Sequence, residues 1–111
     1  MGYDEQLAER IRGVIVEHGP PEEKPMFGGL GFLLGGNLAV CASHDGGLLV
    51  RTDGTDADEL LAQDHVAPMV MGGRSSRTWL RVGQEALRTP EQLGYWVERG
   101  AMTARALPAK D

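Results

Sequence analysis

Residues 25–53 read PMFGGLGFLLGGNLAVCASHDGGLLVRTD, and this stretch carries the main signal for the fold. It contains three apolar runs, at residues 26–34, 38–43 and 48–51, which are separated by two glycine-bearing turns. Short apolar runs joined by Gly-Gly, Gly-Asn or Asp-Gly are a strong local signal for β-hairpins, because primed turns need a positive φ at their central residues. The stretch therefore predicts an antiparallel three-stranded meander.

The first predicted strand has an unusual distribution of glycine. Alternate residues of a strand share a face, so Gly29 and Gly31 fall on the same face as Phe27 and Leu33. Two of these four residues have no side chain, so a helix or another chain could approach the backbone closely there. We therefore expect a glycine-thinned face that is available to a partner.

The segments outside the meander predict helices. Residues 4–18 carry an apolar stripe at spacings of three and four, and Asp4 precedes them as a plausible N-cap. A short helix is predicted over residues 56–63. Residues 89–92 (TPEQ) form a capping box with proline at the first helical position, which predicts a helix that runs to about residue 106.

Two further strands, residues 68–71 and 78–82, are predicted between the short and the long helix. The link at 72–77 is long and polar, and we expect it to be a hairpin loop. The predicted order is α-β-β-β-α-β-β-α over one domain at 1–111, and antiparallel hairpins with amphipathic helices favour a two-layer α+β sandwich.

Length and charge limit the classes of function. The chain has 111 residues and a formal net charge of −5, which disfavours direct binding to nucleic acid. Its single cysteine, Cys41, cannot form an internal disulfide, and no apolar run approaches the ~20 residues that span a bilayer. With no basic and apolar leader at the N-terminus, we expect a cytoplasmic protein without membrane contact.

Several of these features together are similar to one known family. The signature Met26-Phe27-Gly28-Gly29-Leu30-Gly31-Phe32, the N-terminal helix and the late helix with Pro90 and Trp96 resemble the TfoX/Sxy N-terminal domain family. The resemblance covers about residues 3–107, and the Met-Phe-Gly-Gly start of the strand, residues 26–29, is its most specific part. It implies a fold similar to the type III secretion chaperones.

The same resemblance also implies a role and a partner. Named members regulate bacterial natural competence together with a cyclic-AMP receptor transcription factor, and they carry a second, C-terminal domain that is not found in this sequence. The implied partner is therefore a protein, such as a transcription regulator.

No motif in the sequence predicts a cofactor, a metal or a catalytic centre. The glycines at 28–36 match neither the phosphate-binding loop, which needs Lys and Ser or Thr after the last glycine, nor a dinucleotide fingerprint that opens a helix. The three histidines and Cys41 have no zinc-binding spacing. We therefore expect a buried structural cysteine, surface histidines and no enzyme activity.

The basic residues suggest one candidate interaction site. The notable basic concentration consists of Arg51, Arg74, Ser75, Ser76, Arg77 and Arg81. It could form a nest for an anion, or a patch for nucleic acid or an acidic protein, and its alternative interpretation is a solvated hairpin loop.

Three classes of function remain open at this point. The favoured class is a non-enzymatic protein-interaction or transcription-regulatory accessory domain, which could form a homodimer through an open sheet edge or the glycine-thinned face. The alternatives are nucleic-acid or anion binding through residues 74–77, and a small enzyme of unknown reaction.

Overall fold

The computed structural model describes residues 3–26, 28–55 and 57–108, and Phe27 of the signature lies outside these ranges. Helices and strands are both present, as predicted. In chain order they are α1 (Glu5–Ile15), β1 (Glu22–Met26), β2 (Gly29–Leu34), β3 (Asn37–Ala42), β4 (Leu48–Arg51), α2 (Ala57–Leu61), β5 (Val66–Met71), β6 (Arg74–Val82) and α3 (Pro90–Ala106), with short 3₁₀ turns at Val16–His18 and Gln84–Ala86.

The described strands form a single antiparallel sheet in the order β1-β2-β3-β4-β6-β5. The sheet contains one strand more than the sequence predicted. The segment expected to be a charged link and the start of one long strand is instead β1, which pairs antiparallel with β2 after a turn at Gly28, whose φ is 74°. Glycine adopts this φ at little cost, so a single glycine is enough to make the turn. Because the residues around Gly28 are apolar, the sequence there looks like one continuous strand.

The first and last helices begin where the sequence predicts. The Asp4 carboxylate accepts hydrogen bonds from the backbone N–H groups of Gln6 and Leu7, which caps α1. Thr89 and Gln92 form the reciprocal capping box at the start of α3. Helix α2 is shorter than predicted, and Asp56 at its expected start lies outside the described residues.

All three helices contribute to the main core, which lies on one face of the sheet. Its largest members include Ile11 and Ile15 of α1, Trp96 of α3, and Phe32 and Leu80 of the sheet. The α+β two-layer sandwich predicted from the sequence is therefore confirmed.

An ion pair also joins the first helix to the edge of the sheet. Arg12 of α1 forms a bidentate pair with Glu23 of β1, at 2.7 and 2.8 Å, which holds the pKa of the Glu23 carboxyl below its ordinary value.

The predicted polar loop at residues 72–77 is wrong. Only Gly72 and Gly73 form the turn, with φ of 58° and 80°, and Arg74 already begins β6. Two consecutive positive φ angles are typical of a type I′ hairpin, whose twist matches that of the flanking strands. The arginine and serine residues beyond it look like a loop in sequence because this end of β6 extends past the core and is largely exposed.

Candidate interaction surface

The second face of the sheet is covered by no helix of the described chain, and we call it the helix-free face. A second apolar cluster lies there, and its members all come from strands: Met26, Cys41, Leu49, Met69 and Trp79. Cys41 and Leu49 are fully covered, whereas Met26 and Trp79 are half-buried at the margin. We call these five residues the Trp79 strip.

Arg51 is stacked on this strip. It pairs with Trp79 across β4 and β6, so the two side chains share a face, and the guanidinium carbon lies 5.0 Å from the centre of the indole ring. The Arg51 Nη1 atom is buried and has no hydrogen-bond partner, although the residue as a whole is only half-buried. A half-buried guanidinium that is held against an aromatic ring is suited to pairing with a carboxylate through its accessible part.

The predicted basic concentration is only partly brought together. Arg81 pairs with Leu49 and so shares the helix-free face with Arg51, and its guanidinium lies 3.7 Å from the Asp45 carboxylate. Arg77 lies 3.4 Å from Asp58, so part of its charge is neutralised.

The remaining members of this set do not form an anion nest. Arg74 and Ser75 are exposed next to the hairpin turn. Ser76 accepts hydrogen bonds from the N–H groups of Thr78 and Trp79, so its hydroxyl oxygen serves the local backbone. A nest needs alternating backbone conformations, and a type I′ turn followed by a strand does not supply them.

The glycine-thinned face is not open as expected. A Cβ placed on Gly31 would lie 2.7 Å from Met26 Sδ and 2.8 Å from Leu38 Cδ1, so side chains of this chain fill the space. A Cβ on Gly29 would meet the Ala42 carbonyl oxygen instead. These two signature glycines therefore permit internal packing rather than an external approach, and Gly28 provides the turn.

Sequence reasoning missed Trp79 and Met69 as members of a surface. The signal that could have found them is the alternation in two strands, since Leu49 and Arg51 share one face of β4 and Trp79 and Arg81 share one face of β6. That these strands are neighbours could not be read from the sequence, because β6 pairs with β4 across α2 and β5.

In the described residues, side chains that could bind a metal are dispersed and the cysteine thiol is enclosed. No group of three or more His, Cys, Asp or Glu side chains there could hold a metal ion. Cys41 is fully buried, and burial raises the pKa of its thiol to about 11. A thiol in this state is a poor nucleophile, because the thiolate is the reactive species.

We expect the Cys41 thiol to resist a disulfide reagent such as dithionitrobenzoate at pH 7.5 in the native protein. Labelling should become rapid and stoichiometric only in denaturant, because both burial and the raised pKa disappear on unfolding. Native labelling as fast as that of a free cysteine would contradict the packing described for the Trp79 strip.

No helix in the described ranges is long and apolar enough to cross a membrane.

Two comparisons with known proteins bear on the family of this chain. A search of curated proteins gives no significant match. The family model of the TfoX N-terminal domain matches residues 15–104, which include the whole sheet and most of α3. This chain therefore belongs to the TfoX N-terminal domain family.

Proposed function

We propose that this chain is a non-enzymatic protein-interaction domain whose partner docks on the helix-free face, over the Trp79 strip. The partner presents a carboxylate to Arg51 and an apolar side chain to Trp79. The observation that carries this proposal is the half-buried Arg51 guanidinium, which is stacked on the Trp79 indole ring at 5.0 Å on a sheet face without a helix. A charge-assisted hydrogen bond from this guanidinium to a docked carboxylate is about twice as strong as a hydrogen bond between neutral groups.

Charge supports an acidic partner segment on this face. Arg51 and Arg81 flank Trp79, and among the described side chains near them Asp45 is paired with Arg81 rather than with Arg51. A positive site on a chain of net charge −5 favours an acidic ligand locally while the remainder of the surface repels it. Family membership makes a bacterial transcription regulator the first partner class to test.

The test uses a short synthetic peptide that alternates glutamate with leucine, and the same peptide with glutamine in place of glutamate. The chain has two tryptophans, and Trp96 is buried in the main core, so its indole N–H signal is an internal reference in a ¹⁵N–¹H spectrum. We expect the glutamate peptide to shift the Trp79 signal and leave that of Trp96 in place. The glutamine peptide should bind at least about tenfold more weakly, because it lacks the charge-assisted bond.

Two charge-reversal variants complete this experiment. Arg51→Glu should abolish the shift of Trp79, whereas Arg88→Glu, which changes net charge equally at an exposed position before α3, should retain it. Equal binding of the two peptides, or equal binding by the two variants, would contradict the proposal. Light scattering over a dilution series shows whether the chain forms a dimer. If it does, and if Trp79 lies in the dimer interface, a second copy of the chain occupies this face in place of the acidic partner.

A further inference from the structure

A separate groove lies beside α3, where the C-terminal half of that helix approaches the end of β4. Its volume is about 620 Å³, and residues that line it include Thr52, Asp53, Thr78, Arg99, Met102 and Leu107. This volume falls within the range of about 300–1,000 Å³ that is typical of small-molecule sites. The groove shares Arg51 with the surface around Trp79, and its other lining residues lie outside the Trp79 strip.

One wall of the groove is apolar and accessible. Met102 is 59% exposed and Leu107 is 40% exposed, and both are among the large apolar side chains that the described structure leaves open to solvent. Scattered exposed apolar residues need no explanation, but two that border one concavity indicate a surface that an apolar body can cover. Ala106 continues the same wall between them.

The groove also carries charge. Arg51 and Asp53 line it from the end of β4, and Arg99 lines it from α3. The pKa of Asp53 is held below its ordinary value chiefly by the Thr55 hydroxyl and also by the Thr55 N–H. The lining therefore carries two positive charges against one negative charge near neutral pH. The Arg99 guanidinium carbon lies 4.7 Å from the centre of the Tyr95 ring, which restricts its orientation.

Two of the hydroxyl groups that line the groove already donate to backbone carbonyls. The Thr52 hydroxyl donates to the Arg77 carbonyl at 3.1 Å, and the Thr103 hydroxyl donates to the Arg99 carbonyl at 2.8 Å. Recognition of a ligand therefore depends on the charges and on the apolar wall rather than on these hydroxyl donors. The excess of one positive charge is neutralised by a ligand with one negative charge.

We propose that this groove binds a small amphipathic organic anion, with its apolar body on Met102 and Leu107 and its carboxylate toward Arg51 and Arg99. The proposal goes beyond the protein-interaction function, because it concerns a ligand of a different class and a groove that shares only Arg51 with the docking surface.

The probe is 3-phenylpropanoate, and its neutral amide, 3-phenylpropanamide, is the matched control. In an NMR titration of the ¹⁵N-labelled protein, we expect the carboxylate to shift the backbone signals of Thr52, Thr103 and Leu107 with a Kd of about 1 mM or lower. The amide should bind at least about tenfold more weakly, because it lacks the charge that the arginines attract. No shift with the carboxylate, or equal shifts with both probes, would overturn the proposal.

Two variants locate the site. Met102→Glu places a negative charge on the apolar wall, and because Met102 is largely exposed we expect normal folding by circular dichroism and at least a tenfold loss of affinity. Val16→Glu makes the equivalent change at another exposed apolar residue, one that does not line the groove, and should bind like wild type. Unchanged affinity in Met102→Glu would also overturn the proposal, whether or not the Glu-Leu peptide binds to the helix-free face.

Discussion

Gly29→Ala is expected to destabilise the protein by about 3 kcal/mol or more, at the upper end of the range for overpacking. A Cβ at this position would lie 1.9 Å from the Ala42 carbonyl oxygen and 3.2 Å from the Ser43 Cα. Both obstacles are backbone atoms of the neighbouring strand end, so no side-chain rotation relieves the contact. Alanine would therefore force β2 and β3 apart where Leu30 pairs with Ala42.

The measurement is chemical denaturation of wild type and variant, followed by circular dichroism. Gly31→Ala is the matched control on the same strand, because its Cβ would meet the far ends of the Met26 and Leu38 side chains, which can move. We expect Gly31→Ala to lose less than half as much stability as Gly29→Ala. Equal losses would show that the close approach of the Ala42 carbonyl is not what requires glycine at position 29.

Gly100→Ala is expected to destabilise the protein by about 2 kcal/mol net, although alanine is the better helix former by about 1 kcal/mol. Gly100 faces the sheet, and its Cβ would lie 2.5 Å from the Ala39 carbonyl oxygen and 2.6 Å from Val40 Cγ1. Because a strand carbonyl is the nearest obstacle, α3 would have to move away from β3. That movement would loosen the packing of Trp96 and Val97.

Gly94→Ala is the matched control within the same helix. Nothing lies within 4 Å of a Cβ at Gly94, so the substitution should stabilise the protein by up to about 1 kcal/mol through helix propensity alone. Thermal melting of the two variants should therefore show midpoints that move in opposite directions. A rise of the midpoint in Gly100→Ala would contradict the close packing of α3 on β3.

Local signals predicted the helix ends and several turns. Asp4 and the capping box at Thr89 and Gln92 act on backbone groups within three residues, so their partners are visible in the sequence. The Gly35-Gly36 turn is equally local, with φ of 60° and 81°. The α+β class follows from these signals together with apolar periodicity, and the structure confirms it.

Strand boundaries could not be predicted in the same way. The turn at Gly28 is hidden within an apolar run, and the charged residues of β1 look like a link because the strand is an exposed edge. Polar residues at the start of β6 look like a loop because that end of the strand extends past the core and is largely exposed. In each place the hydrogen bonds to a neighbouring strand decide the conformation, and hydropathy does not report them.

The candidate surface depends even more on tertiary structure. The sequence indicated that Arg51 and Arg81 belonged to a basic concentration, but it did not reveal Trp79 between them. It also predicted space beside Gly29 and Gly31 that the fold fills with Met26, Leu38 and the backbone of β3.

By itself, the sequence determined where the first and last helices are capped and where some of the hairpins turn, because those interactions are made between residues a few positions apart. Only the tertiary structure decided which face of the sheet the helices leave uncovered and which side chains meet there. Strand β6 reaches β4 from about thirty residues further along the chain, past α2 and β5. The stacking of Arg51 on Trp79 therefore depends on a pairing between distant segments that no local pattern specifies.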